Sequence, residues 1–224
     1  MLTEVKICGL SEEESVDAAL EAGADFVGFM FFPASPRNVA IERAAALAER
    51  ARGRAGVVAV TVDADDALLL AICEAVRPDL LQLHGRETPE RVAEVGGLTG
   101  RAVMKVIGAA TRDDLAATRR YADAARFLID AKPPKDATRP GGNAVAFDWT
   151  ILDGFAAEKP WLLSGGLNPD NIAEALTRTR APGVDLSSGV ESAPGKKDPA
   201  LIHAFVRAVR AHDAAARPVR RIVV

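Results

Sequence analysis

Cys8 has a side chain that could do chemistry, and it ends the short apolar run "VKIC" (5–8) near the start of the sequence. The only other cysteine is Cys73, and the two follow no spacing typical of a disulfide framework or a metal site. A free cysteine is often a small buried residue without a chemical task. At a strand end, with Lys6 two residues earlier to help lower its pKa, the same thiol could instead act as a nucleophile or general base.

Three further polar side chains follow apolar runs. Asp130 ends "RFLID" (126–130), where it could donate a proton, since a buried carboxyl group is costly unless it is paired or has a task. The alternative is a helix cap or a turn. Arg37 in "FFPASPRN" has the planar fork that suits a carboxylate, or it is a solvated loop residue. His84 in "LLQLHGRE" could orient a substrate, shuttle a proton or cap the strand end.

Two loops late in the chain have the composition of a phosphate site. "SGGLNPDN" (164–171) has two glycines before a helix start, and "DLSSGVES" (185–192) has serines and a glycine after an apolar run. Glycine lets the backbone approach a phosphate closely, although glycine and serine are also ordinary turn residues. The residues expected to contribute are Gly165, Gly166, Ser187, Ser188 and Gly189.

These side chains need elements that bring them together. Short, continuously apolar runs predict strands buried on both faces, as in a parallel sheet. The runs are 5–8, 26–31, 57–62, 80–83, 102–107, 126–130, 161–164 and 183–187. Alanine-rich amphipathic stretches separate them, and the segments 64–76, 88–96, 112–122 and 147–156 are among the predicted helices.

Three helix starts have recognisable signals. Ser11 with Glu14 matches a capping box, and Asn168 with Pro169 matches an N-cap followed by proline. Asp198 with Pro199 repeats that pattern before the last helix. Eight runs alternating with helices predict a (β/α)₈ barrel, with an open doubly-wound sheet as the rival. We expect one barrel domain over residues 1–212 and a tail over 213–224.

Composition excludes several classes of function. The net charge is -3, and no basic stripe with interleaved aromatics indicates nucleic acid or a membrane surface. The N-terminus does not resemble a signal peptide, and no apolar run approaches a membrane span. "GVESAPGKKD" has the wrong glycine spacing for a P-loop, and no strand is followed by G-x-G-x-x-G. We expect a cytoplasmic protein that acts on a small phosphorylated molecule, without a metal or an obligate protein partner.

In a barrel of this kind, the polar groups that follow the strands converge on one mouth, and Asp185 in the eighth run joins those named above. The chain also contains, in this order, the segments "KICGL" (6–10), "GFMFFPASPR" (28–37), "LQLHG" (81–85), "DAKPP" (130–134), "GG" (141–142), "FDW" (147–149), "LSGGLNPDNI" (163–172) and "VDLSSGVESAPGKKD" (184–198). Together they resemble the phosphoribosylanthranilate isomerase family, and the match runs from about residue 4 to residue 210.

The resemblance implies a (β/α)₈ barrel that needs no cofactor and catalyses an Amadori rearrangement, the third committed step of tryptophan biosynthesis. It implies that Asp130 is the general acid, Cys8 the general base and Arg37 the residue that binds the anthranilate moiety. It further implies that the backbone at the two glycine- and serine-rich loops binds phosphate. Asp185 and His84 match positions that line the pocket.

Some features depart from the family pattern. "NAVAFDW" after Gly142 lacks another glycine and a lysine or serine, and the proline-rich loop 131–140 could act as a cover. The C-terminal extension is longer than the family leads us to expect. The alternatives are a related phosphosugar barrel, such as the isomerase of histidine biosynthesis or the tryptophan synthase α subunit, or a non-catalytic phosphate binder. An aspartate in place of Cys8 is typical of the histidine enzyme, and a non-catalytic binder would be expected to have lost Cys8 or Asp130.

Overall fold

Eight parallel strands close into a barrel in sequence order, with β1 pairing β2 on one side and β8 on the other. This computed structural model describes residues 2–132 and 148–216. The barrel strands are β1 (Glu4–Cys8), β2 (Phe26–Phe31), β3 (Gly56–Thr61), β4 (Leu80–Leu83), β5 (Ala102–Ala109), β6 (Arg126–Ala131), β7 (Trp161–Leu163) and β8 (Gly183–Leu186). The predicted (β/α)₈ barrel is confirmed, and the rival doubly-wound sheet is wrong.

Helices alternate with the strands around the outside. The α-helices are α1 (Glu13–Ala22), α2 (Ile41–Ala51), α3 (Asp66–Ala75), α4 (Pro89–Thr99), α5 (Arg112–Leu115), α6 (Ile172–Thr179) and α7 (Pro199–Ala216). Short 3₁₀ helices span Ala116–Arg120, Trp149–Leu152 and Ser188–Val190. The predicted helix 112–122 is therefore α-helical only at its start, and the described part of the predicted helix 147–156 contains a 3₁₀ turn instead of an α-helix. Among residues 2–132 and 148–216, no helix is both long and apolar enough to cross a bilayer.

After β8 the chain forms a small antiparallel hairpin, β9 (Glu191–Ala193) and β10 (Lys196–Lys197). Gly195 turns this hairpin with a φ of 82°. A Cβ atom at Gly195 would lie 2.5 Å from the Pro36 carbonyl oxygen, so the hairpin packs tightly against the loop after β2. The segment that superficially resembled a P-loop therefore packs on the loop that contains Arg37.

Of the helix-start signals, the one before α7 is confirmed. The Asp198 carboxylate accepts hydrogen bonds from two of the first N–H groups of α7. The helix continues through Ala216, so residues 213–216 of the predicted tail belong to α7. Thr3 donates its N–H and hydroxyl to the buried Asp213 carboxylate at 3.1 and 2.6 Å, which ties the end of α7 to the start of the chain. Residues 217–224 lie outside the described residues.

The other two start signals are wrong in detail. The N-cap of α1 is Glu12 rather than Ser11, and it makes no side-chain cap. Helix α6 begins at Ile172. The Asn168 side chain instead accepts hydrogen bonds from the N–H groups of Asp170 and Asn171, which forms a turn before the helix. Local side-chain turns compete with helix caps, and here the turn lengthens the loop after β7.

Alternation along the strands creates two apolar layers. The inner layer fills the barrel and comprises Cys8, Val58, Val60, Leu80, Met104, Val106, Leu128 and Leu162. The outer layer lies between the strands and the helices and is larger. Because successive strand residues point to opposite faces, Lys6 and Cys8 both point into the barrel. Polar side chains that follow this inner set toward the strand ends therefore line the mouth.

Candidate active site

Cys8 ends β1 at the mouth of the barrel and packs with the inner apolar layer. Its thiol lies beside Gly28 of the neighbouring β2, where an added Cβ atom would come within 3.1 Å of Cys8 Sγ and 3.2 Å of Lys6 Nζ. Gly28 thus leaves the space that both side chains use. This glycine was not among the predicted site residues, although it stands inside the apolar run 26–31, where glycine is unfavourable without a packing reason.

Lys6 and Asp185 form a buried ion pair in the barrel interior, directly beneath Cys8. Lys6 Nζ donates to Asp185 Oδ1 at 2.6 Å, and the Lys6 side chain is fully buried. The Ser164 hydroxyl donates to the other oxygen, Asp185 Oδ2, at 3.2 Å. Asp185 therefore holds a lysine in the barrel interior, in addition to the pocket-lining position expected from the sequence.

Burial controls the ionisation of the thiol. It raises the pKa of Cys8 above the usual thiol value, against the lowering effect of the nearby Lys6 charge. Lys6 thus acts in the direction expected of it, but desolvation outweighs its effect, so the pKa of the thiol is raised overall. For Lys6 itself, burial opposes the charge, yet the neighbouring Asp185 carboxylate and Cys8 raise the pKa overall, so the lysine stays protonated.

Asp130 and His84 come together across the mouth. Asp130, in β6, is 6% exposed, and its Oδ1 accepts a hydrogen bond from the Ala131 N–H at 2.9 Å. His84 Nε2 lies 3.3 Å from Asp130 Oδ2, without the angle of a hydrogen bond. The Gln82 amide lies 3.4 Å from His84 Nδ1, which favours the tautomer with a proton on Nε2, facing Asp130. His84 is thus close to the Asp130 carboxyl group, without a hydrogen bond to it in this arrangement.

Arg37 is buried and paired. Its side chain crosses Gly9, where a Cβ atom would lie 2.6 Å from Arg37 Cδ. Arg37 Nε and Nη2 donate to the two carboxylate oxygens of Glu191 at 2.6 and 2.9 Å. The alternative interpretation of Arg37 as a solvated loop residue is therefore wrong. The pairing with Glu191 was missed, although an acidic residue in the glycine-rich "GVESAPGKKD" segment is the signal that could have indicated it.

Lys197 connects this pair to the rest of the mouth. Its Nζ donates to Glu191 Oε1 at 2.6 Å, to the Ser187 carbonyl at 2.9 Å and to the Ser187 hydroxyl at 2.8 Å. The Ser187 hydroxyl in turn donates to the carbonyl oxygen of Cys8 at 2.9 Å. Its hydroxyl is therefore used within the protein, so that only the Ser187 backbone remains for the phosphate role expected of it.

The loops after β7 and β8 pack against each other. A Cβ atom at Gly189 would lie 1.9 Å from the Leu167 carbonyl oxygen, so only glycine permits this approach. Gly165 and Gly166 have φ values of 97° and 66°, in the left-handed region. Within residues 2–132 and 148–216, the N–H groups of Gly165, Gly166, Ser188 and Gly189 donate to no protein acceptor. Four free donors in two adjoining loops suit an anion.

The structure thus brings most of the predicted residues to one end of the barrel. Gly141, Gly142 and residues 133–140 of the proposed cover loop lie outside the described residues, as does Phe147 of "FDW". Among the residues that the structure does describe, no group of three or more His, Cys, Asp or Glu side chains is placed to hold a metal ion. The fold and the mouth define a class: a (β/α)₈-barrel enzyme with acid and base candidates at its strand ends and free backbone donors beyond β7 and β8.

Comparison with known proteins gives the particular family. A sequence model of N-(5'phosphoribosyl)anthranilate (PRA) isomerase matches residues 5–208. A relative named N-(5'-phosphoribosyl)anthranilate isomerase, from Rhodopseudomonas palustris strain BisA53, is 63% identical over 214 residues, covering 95% of this chain and 98% of that protein. A second, from strain ATCC BAA-98 / CGA009, is 58% identical over 94% of this chain and 100% of that protein.

Solved structures agree. Phosphoribosyl anthranilate isomerase from Thermotoga maritima has a TM-score of 0.82 at 32% identity, covering 94% of this chain and 100% of that one. A phosphoribosyl anthranilate isomerase in complex with reduced 1-(o-carboxyphenylamino)-1-deoxyribulose 5-phosphate has a TM-score of 0.79 at 31% identity, with the same coverage. The chain belongs to the N-(5'-phosphoribosyl)anthranilate isomerase family.

The chain is accordingly an isomerase of tryptophan biosynthesis. It converts N-(5-phosphoribosyl)anthranilate to 1-(2-carboxyphenylamino)-1-deoxyribulose 5-phosphate, an interconversion of an aldose and a ketose. The resemblance stated from the sequence motifs is therefore confirmed as to family, fold and reaction. The alternative assignments considered from the sequence are therefore wrong. They were the histidine-pathway isomerase, the tryptophan synthase α subunit and a non-catalytic phosphate binder.

Proposed function

We propose that Cys8 and Asp130 divide the acid–base work of this isomerisation. Asp130 protonates the furanose ring oxygen as the bond from C1′ to that oxygen breaks, and the anthranilate nitrogen lone pair forms the C1′–N double bond. The Cys8 thiolate then takes the proton from C2′, and the C–H electron pair forms the C1′–C2′ double bond of an enolamine as the C1′–N π electrons return to nitrogen. Protonation at C1′, with loss of the proton from the C2′ hydroxyl, then gives the ketone. The observation that carries this assignment is that both groups are nearly buried at the mouth, at the ends of β1 and β6.

The ionisation of the thiol is compatible with this role. Because burial raises the pKa of Cys8, the free enzyme contains chiefly the thiol near neutral pH. The thiolate that does form is a stronger base than an unperturbed one, which favours removal of a carbon-bound proton. A proton α to a protonated imine is acidic enough for such a base. His84, 3.3 Å from Asp130, orients the acid in our proposal.

We assign the two ends of the substrate to separate parts of the mouth. The free N–H groups of the loops after β7 and β8 bind the phosphate, through the backbone of Gly165, Gly166, Ser187, Ser188 and Gly189. Arg37 binds the anthranilate carboxylate, and Asp185 lines the pocket from below while it pairs with Lys6. Because the phosphate is far from the reacting bonds, its binding free energy can hold the flexible open-chain intermediate in place.

The test is an anthranilate-fluorescence assay in which the preceding transferase makes the labile substrate from anthranilate and phosphoribosyl pyrophosphate. Cys8→Ala and Asp130→Asn should each lower kcat by at least about a hundredfold, the lower range for loss of a general acid or base, with nearly unchanged product affinity. Cys73→Ala, which removes the other cysteine, is the matched control and should retain full activity. Full kcat in either active-site variant would refute the role given to that residue.

We also propose a cytoplasmic location and action without an obligate protein partner. Support for the location comes from two free cysteines, one of them at the mouth, which a reducing compartment keeps unoxidised. Cell fractionation with an activity assay tests the location, and recovery of most of the activity outside the cytoplasmic fraction would contradict it. Full activity of the purified chain alone would support the absence of an obligate partner.

A further inference from the structure

Arg37 uses one complete edge of its guanidinium group within the protein. Nε and Nη2 form the side-on edge, and both donate to Glu191, at 2.6 and 2.9 Å. The two side chains are 5% and 4% exposed. A two-point, charge-assisted pair of this kind fixes the plane of the guanidinium as well as its position. The orientation of Arg37 is therefore set before any ligand arrives.

The end-on edge of the same guanidinium is left open. It consists of Nη1 and the outer N–H of Nη2, and within residues 2–132 and 148–216 Nη1 donates to no protein acceptor. A guanidinium binds a carboxylate best through two parallel N–H donors, and the end-on edge offers a second such pair. One arginine can thus serve a protein carboxylate on one edge and a ligand carboxylate on the other.

Glu191 is itself held firmly. Its Oε1 accepts from Lys197 Nζ at 2.6 Å, and its Oε2 accepts from the Gly195 N–H at 3.2 Å, both within the β9–β10 hairpin. Burial opposes the charge of Glu191, but the Arg37 and Lys197 contacts lower its pKa overall, so the carboxylate is ionised. Two cations around one carboxylate leave a net positive charge on this cluster, which suits an anionic ligand group.

We propose that Glu191 is a positioning residue that sets the preference of this enzyme for a carboxylated aromatic amine. By occupying the side-on edge of Arg37, it turns the end-on edge toward the ligand carboxylate. This inference rests on the proposed role of Arg37 and adds the group that orients it. Glu191 acts through Arg37 and takes no part in the proton transfers, so its loss should weaken binding of the carboxylated ring and leave the chemical step largely intact.

The experiment measures binding of two ligands by calorimetry. One is reduced 1-(o-carboxyphenylamino)-1-deoxyribulose 5-phosphate, and the other is the same molecule without the carboxyl group. The ratio of their dissociation constants is the carboxylate preference. Glu191→Gln should reduce this preference by about tenfold or more, since its amide N–H₂ cannot accept from both Arg37 nitrogens. Affinity for the ligand without the carboxyl group should change by less than about threefold.

Three further variants make the outcome decisive. Glu21→Gln removes the same charge from an exposed site and should leave the preference unchanged. Glu191→Asp keeps the charge on a shorter side chain and should restore part of the preference; it carries the test if Glu191→Gln fails to fold. Arg37→Met should abolish the preference. In steady-state assays, Glu191→Gln should raise KM while kcat changes by less than about threefold.

The outcomes separate the two proposals. If Arg37→Met retains the full preference, the proposed role of Arg37 is wrong. If Arg37→Met loses the preference while Glu191→Gln and Glu191→Asp both keep it, the role of Arg37 stands and the positioning role of Glu191 is overturned. A fall in kcat with unchanged KM in Glu191→Gln would also overturn it.

Discussion

Lys6 Nζ and Asp185 Oδ1 lie 2.6 Å apart in the middle of the barrel, where both side chains are buried. This ion pair is the layer directly beneath Cys8. A charge in such a place is tolerated only with its partner, because taking one partner away leaves an uncompensated buried charge. The pair therefore links the stability of the barrel to the electrostatics of the thiol above it.

We predict that Asp185→Asn lowers the free energy of unfolding by roughly 3–5 kcal/mol, because Lys6 is then left without its counter-ion. The double variant Lys6→Met with Asp185→Asn should recover a large part of that loss. Urea unfolding of the wild type, both single variants and the double variant gives the coupling between the two residues. Additive losses in the double variant would contradict the pairing.

The Cys8 thiol should titrate above the usual thiol range. Burial raises its pKa and Lys6 partly counteracts this, so Lys6→Met should move the midpoint higher still. Thiolate absorbance against pH, measured in a Cys73→Ala background, reports Cys8 alone. Subtracting a Cys8→Ala sample removes the tyrosine contribution. A midpoint below the ordinary thiol value would show that desolvation does not dominate at this site, and a downward shift in Lys6→Met would show that Lys6 does not lower the thiol pKa.

Ligand affinity should fall as Lys197 loses its proton. Burial lowers the pKa of Lys197 to about 8, against the raising effect of Glu191. Below that pH the lysine is charged; above it, the Arg37–Glu191–Lys197 cluster loses its net positive charge. We therefore expect the affinity for the reduced, carboxylated product analogue to decrease between about pH 7 and pH 9. Lys197→Met should bind more weakly at pH 7 and lack this decrease, and an identical pH dependence in that variant would exclude Lys197 as its source.

Gly189→Ala should weaken binding of the phosphate end of the ligand. The new Cβ atom would lie 1.9 Å from the Leu167 carbonyl oxygen and push apart the two loops that present the free N–H groups. The dissociation constant of ribulose 5-phosphate should rise by about tenfold or more. Gly97→Ala is the control, because nothing lies within 4 Å of that position and affinity should be unchanged. Equal affinity in Gly189→Ala would argue against phosphate binding between these loops.

Much of the fold could be predicted from the sequence because buried parallel strands have continuously apolar sequences. The run "VKIC" became β1 and "RFLID" lies within β6, so the strand-end positions of Cys8 and Asp130 followed directly. Helix starts were less predictable. Ser11 and Asn168 both precede helices, but the path of the preceding loop in the folded chain decides whether such a side chain caps the helix or forms a turn. A local sequence pattern does not contain that information.

The polar contacts of the mouth were the least predictable part. Lys6 and Asp185 are 179 positions apart, and Arg37 and Glu191 are 154 apart, so only closure of the barrel brings them together. The sign of the thiol pKa shift depends on the competition between burial and a nearby lysine. Sequence shows that the lysine is near Cys8, but the extent of desolvation becomes known only when the mouth is assembled.

The central claim is that Cys8 and Asp130 act in different steps, and an isotope effect tests it most directly. The substrate is made with deuterium at C2′, and kcat/KM is compared with the protiated form. Cys8→Ser has a poorer base, so proton removal should limit the rate and the isotope effect should exceed that of the wild type. Asp130→Asn should slow ring opening and suppress the effect toward unity. An enlarged isotope effect in Asp130→Asn, or none in Cys8→Ser, would contradict this division of labour.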